Sequence, residues 1–77
     1  MEQKIKQDNI LIGENIRRIR KEKGVKQVDL VRKIQLYGID MTRESLVKIE
    51  RGIQHIYASQ LKAIRDALDT TYDELLK

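Results

Sequence analysis

Between Arg17 and Lys33, eight basic side chains (Arg17, Arg18, Arg20, Lys21, Lys23, Lys26, Arg32 and Lys33) stand against two acidic ones, Glu22 and Asp29. From Gly52 onward the balance reverses to three basic residues against four acidic ones. Charge of one sign gathered at one pole of a small chain attracts a polyanion, because each neutralised phosphate releases condensed counterions. The same cluster also fits a solvated helix face that keeps a protein soluble. Other chemistries find little support. Ser45 and Ser59 lack a convincing base and acid partner, and no glycine-rich phosphate loop is present. With no Cys, disulfides and thiolate metal sites are excluded, and His55 alone makes no metal site. The expectation is a protein that is not an enzyme and needs neither metal nor cofactor.

A charged pole is useful only if regular elements hold it in place. The 77 residues fall within a single domain, near the size at which one hydrophobic core just suffices. Hydrophobic residues make up 40% and charged residues 36%, and the three aromatics are all Tyr, so Ile and Leu must carry the packing. Pro is absent, the glycines fall at 13, 24, 38 and 52, and no strand-like alternation persists, which reads as all-helical with glycine as punctuation. The spacing predicts a first helix from Asn9, as N-cap, to Lys23, with Ile12, Ile16 and Ile19 inward. A second begins near Gln27 and sets Leu30, Ile34 and Tyr37 on one stripe, with Val31 beside it, before Gly38. Thr42 is the natural N-cap of a third helix that turns Leu46 and Ile49 inward, leaves Arg43, Glu44, Val47, Lys48 and Arg51 outward, and ends at Gly52. A fourth runs roughly from Tyr57 to Leu68, and Thr71 to Glu74 has the spacing of a capping box for a last turn. Residues 1–8 read as a mobile arm and 9–77 as the folded domain.

Two helices joined by a short glycine-containing turn, the second Thr-capped and polar outward, form the arrangement in which one helix crosses a nucleic-acid backbone while the next enters the major groove. Such geometry also arises for packing alone. The residues themselves go further. Ile12-Gly13-Glu14-Asn15-Ile16-Arg17-Arg18-Ile19-Arg20-Lys21-Glu22-Lys23-Gly24 and Gln27-Val28-Asp29-Leu30 resemble the opening of the Cro/C1-type (XRE) helix-turn-helix family of phage repressors and bacterial regulators. Ser45 to Gly52 is similar to that family's recognition helix, and Leu61 to Leu68 with Thr71 to Leu76 resembles its last two helices.

The resemblance implies an all-α, five-helix, lambda repressor-like domain that binds double-stranded DNA in sequence-specific fashion and regulates transcription, in the manner of a repressor. It implies that Arg43, Glu44 and Lys48 face base edges, where Arg or Lys can donate to guanine and Glu can accept from cytosine N4. Gln27 and Thr42 fall at phosphate-contacting positions, as do Arg51 and, beyond it, Gln54 and His55. Arg20 and Glu50 match a structural ion pair between the first helix and the end of the recognition helix. Two departures stand out. Lys26 occupies a cap where the family usually has Ser or Thr, adding a charge beside the phosphates, and Gln35 to Ile39 is a surplus of about five residues, read as a lengthened second helix.

One short helix reads too few base pairs for useful specificity, so a homodimer is expected, with the last helix and Tyr72, Leu75 and Leu76 as candidate contact. The longest apolar stretch, Ile10-Leu11-Ile12, makes neither a signal peptide core nor a membrane span, which points to the cytoplasm. The competing reading is an antitoxin or accessory module that binds a protein partner first and DNA second.

Overall fold

A computed structural model describes residues 2–7 and 10–77. The chain runs β1 (Lys4–Ile5), α1 (Ile12–Glu22), α2 (Gln27–Leu36), α3 (Arg43–Glu50), β2 (Ile56–Tyr57), α4 (Ala58–Leu68) and α5 (Tyr72–Leu75). The five helices follow the predicted inward stripes. Ile12, Ile16 and Ile19 of α1 meet Leu30, Val31 and Ile34 of α2, Leu46 and Ile49 of α3, and Leu61, Ile64 and Leu68 of α4 in one aliphatic cluster. Met41 from the α2–α3 connection, Ile56 from β2 and Leu75 from α5 join it. Asn9, expected to cap α1, lies outside the described residues. The N-cap position is Leu11, which supplies no side-chain bond.

The caps that the sequence advertises at the later helices form. Thr42 Oγ1 accepts from Ser45 N–H at 3.0 Å and starts α3, and Thr71 Oγ1 accepts from Glu74 N–H at 3.2 Å and starts α5. The Glu74 carboxylate points to Arg18 and Lys77, each at 3.6 Å, so the Thr71–Glu74 cap rests on the threonine half. At the end of α3, Gly52 takes φ +77°, which lets its N–H bond Ile49 O at 3.0 Å and Ile53 N–H bond Lys48 O at 3.1 Å.

Two expectations change in the structure. Tyr37 does not join the buried stripe of α2. The helix stops at Leu36, Gly38 reverses the chain with φ +82°, and the core is closed there by buried Met41 with Ile39 packed against it. All three tyrosines are left on the surface. The N-terminal segment, expected as an arm, pairs instead: Lys4 lies opposite Tyr57 and Ile5 opposite Ile56 in an antiparallel ladder, with Ala58 N–H reaching Gln3 O at 3.2 Å. Ile5 gains apolar contact with the core by this pairing, a reward for a sequence that is otherwise too polar to fold by itself.

Candidate nucleic-acid interface

Helix α3 is held by its own apolar positions and by one ionic hub. Leu46 and Ile49 are sealed in the core, which fixes the opposite face of the helix outward. At its C-terminal end Glu50 accepts from Arg20 Nε at 2.8 Å and from Arg20 Nη2 at 3.0 Å, a two-bond fork with side chains only 2% and 9% exposed. Arg20 Nη1 goes on to Val25 O at 2.9 Å, and Gln27 Nε2 donates to Glu50 Oε1 at 3.1 Å. The end of α1, the start of α2 and the end of α3 are thereby tied at a single carboxylate. Gly13 brings the other end of α1 equally close, because a Cβ there would stand 1.8 Å from Ile49 O.

This packing sorts the basic cluster into distinct jobs. Arg20 is consumed by Glu50. Lys23 and Lys33 donate to Asp69 O at 3.1 Å and Ala67 O at 3.4 Å, at the C-terminal end of α4, where orphan carbonyls and the helix dipole favour a cation. Arg18 is shared between Glu22 and Glu74, and Arg32 faces Asp29 at 3.6 Å. Arg17, Lys21 and Lys26 remain, and these line a shallow trough whose other walls come from α3. Its first half is walled by Arg17, Arg18, Lys21, Val47 and Arg51, with the exposed Glu14 and the buried, Arg20-paired Glu50 also lining it. Its second half is walled by Arg17, Lys21, Lys26, Gln27 and Arg43, so cations outnumber carboxylates along the trough. Among the described residues, none of Arg17, Lys21, Lys26, Arg43 and Arg51 has an ion-pair partner within 4 Å. Arg17 and Lys21 were not singled out by their spacing. The signal for them was the local charge density, which does not say which members of a cluster share a face.

The residues expected at bases lie together on α3. Arg43 and Glu44 are exposed in its first turn, and Lys48 lies 3.5 Å from Glu44 one turn on. The residues expected at phosphates divide. Lys26, Gln27 and Arg51 line the trough, and Thr42 caps α3 beside it. Gln54 and His55 are half-buried and line neither half of the trough. Lys26 stands at the N-cap of α2 with no side-chain bond to the helix, so its ammonium is not spent on capping. The trough is therefore a cationic concavity with helix α3 along one wall and the N-terminus of α2 at its edge, a form suited to a phosphate backbone following a groove. Among the described residues no helix is long and apolar enough to cross a membrane, and no group of His, Cys, Asp or Glu could hold a metal.

A helix-turn-helix family profile matches residues 16–75, most of the chain, and the chain belongs to the Cro/C1-type helix-turn-helix family. It is a sequence-specific DNA-binding regulator of transcription whose partner is double-stranded DNA. Among solved structures it is similar to the restriction-modification controller protein C.AhdI from Aeromonas hydrophila, at 27% identity and a TM-score of 0.72 over 86% of this chain and 92% of that one. No curated protein sequence matches it.

Proposed function

We propose that this chain is a non-enzymatic, cytoplasmic repressor that binds a two-fold operator as a homodimer, reading bases with Arg43, Glu44 and Lys48. Lys26, Gln27, Thr42 and Arg51 hold the phosphates, with Gln54 at the margin. The observation that carries this reading is the cationic trough running along α3, with Arg43 and Arg51 at its two ends and no ion-pair partner for either among the described residues. A helix of eight residues spans few base pairs, and two copies related by a dyad read two half-sites about one helical turn apart. The dimer contact expected at α5 narrows to Tyr72 and Leu76, 37% and 38% exposed, because Leu75 is sealed in the core. Similarity to a restriction-modification controller makes control of restriction-modification genes the first regulatory role to test.

The deciding experiment is selection of bound sequences from random duplex DNA with the wild-type chain and with Arg43→Ala and Lys48→Ala. Each variant is expected to lose preference at particular base positions, worth about 1–3 kcal/mol each. Gln27→Ala, by contrast, is expected to weaken binding to all sequences alike. Unchanged base preferences in both reader variants would overturn the assignment.

A further inference from the structure

We propose that Gln7 is a positioning residue for DNA binding: its side-chain amide staples the end of α3 and the turn after it to the start of α1, and so sets the pose of Arg51. Gln7 Oε1 accepts from Gly13 N–H at 2.7 Å, and Gln7 Nε2 donates to Gln54 O at 2.9 Å and to Ile49 O at 3.2 Å. Each contact meets a need on the other side. The first N–H groups of a helix have no partner within it, and α1 receives no side-chain bond from its own N-cap, Leu11. Ile49 is among the last residues of α3, and its carbonyl already takes Gly52 N–H, so the amide of Gln7 fills its second lone pair.

The two carbonyls bracket Glu50, Arg51, Gly52 and Ile53. One side chain therefore pins both ends of the turn that carries Arg51 into the trough, and ties it to the helix whose Arg17 and Lys21 form the facing wall. The chemistry is restrictive. The site asks for one acceptor and two donors from a single planar group, which a primary amide supplies and a carboxylate or thioether does not. The β1–β2 ladder delivers the amide, since Ile5 is fixed opposite Ile56 two residues before it. Gln7 touches no DNA in this account. It acts through Arg51, and the inference rests on the phosphate role proposed for that residue.

The test uses the full chain and Gln7→Glu, with Gln7→Met as a second variant of similar length and no charge. Two readouts are taken: hydrogen exchange of the Gly13 amide in the free protein, and affinity for a fixed duplex across a salt series. Gly13 is expected to lose protection in Gln7→Met, whose thioether is a poor acceptor, whereas Gln7→Glu keeps an acceptor for the Gly13 N–H and loses both donors. In both variants the slope of log affinity against log salt is expected to become shallower by about one per protomer, as for one lost phosphate contact. Base preferences stay as in the wild type, and in an Arg51→Ala background the Gln7 substitutions add nothing further. A folded Gln7 variant that keeps the wild-type slope, beside an Arg51→Ala variant whose slope has changed, overturns the positioning role alone. An unchanged slope in Arg51→Ala overturns the phosphate assignment and the positioning role with it. Full protection of Gly13 in Gln7→Met overturns the staple itself.

Discussion

Glu50 and Glu44 belong to the same helix and both face a cation, yet their surroundings give them opposite duties. Glu50 is buried with three donors on its two oxygens, two from Arg20 and one from Gln27. Removing one partner of a buried pair leaves a charge without compensation, which costs about 3–5 kcal/mol. Glu50→Ala is therefore expected to lower stability by that order, read as a fall in the denaturant midpoint at unchanged slope. A midpoint equal to the wild type would show that Arg20 finds another partner. Glu44 and Lys48 lie 3.5 Å apart with side chains 80% and 48% exposed, a geometry worth about 0.3–0.5 kcal/mol. Lys48→Ala should then leave the melting temperature nearly unchanged while altering base preference. Because Glu44 and Lys48 touch, the losses of Glu44→Ala and Lys48→Ala in DNA binding are expected not to add.

At the scale of elements, Gly13 shows how a residue that looks ordinary in sequence becomes decisive through packing. Glycine inside a helix costs about 1 kcal/mol against alanine, so Gly13→Ala would stabilise an isolated α1. In the fold the sign reverses, because the new Cβ would meet the Ile49 carbonyl at 1.8 Å and backbone cannot swing aside as a side chain can. Thermal unfolding should report a net loss of about 1–3 kcal/mol or more, as for overpacked cores, and a gain would mean that α1 slides off α3 at little cost. The same contrast marks what the residues alone could tell. The helical periodicity of isoleucine and leucine, the positive-φ glycines and the Thr42 cap are local signals, and they place the helices and the outward face of α3. The β1–β2 pairing was invisible because two residues carry no periodicity and the partner strand lies some fifty residues away. The fate of each basic residue, trough or helix end or buried fork, likewise depends on contacts made by distant segments.

The ladder's outer end also contains a titrating contact. Glu2 accepts from Ser59, and these bonds hold its carboxyl below the ordinary glutamate value. A group with a lowered folded pKa contributes above its unfolded value and loses that contribution as pH falls through the folded one. Acid should therefore loosen the strand from the start of α4, seen as a shift of the Ser59 amide resonance with a midpoint below that of a free glutamate. A midpoint at the ordinary value would show that the contact does not persist in solution.

For the whole molecule, what matters is how a modest net charge of +4 is distributed. The sequence places half of its sixteen basic residues in one stretch, and the fold then removes several of its members from play. Arg20 is buried, Lys23 and Lys33 face the end of α4, and Arg18 and Arg32 are paired with carboxylates. What the trough offers a polyanion in each copy is Arg17, Lys21, Lys26 and Arg51, with Arg43 committed to bases in the proposed arrangement. Four phosphate-neutralising cations per protomer, doubled by a dyad and scaled by 0.9 per contact, give a salt slope of about −7 for the dimer and about half that for a single copy. Titrations of a selected operator at several salt concentrations, run beside sedimentation of the free and bound protein, therefore examine stoichiometry and charge placement together. A slope near −7 with two copies on the DNA agrees with the trough as the phosphate-binding surface. A dimer with a slope near zero would mean that these cations point away from the duplex. A monomer on its operator would remove the two-fold arrangement and leave a single eight-residue helix to supply all of the specificity.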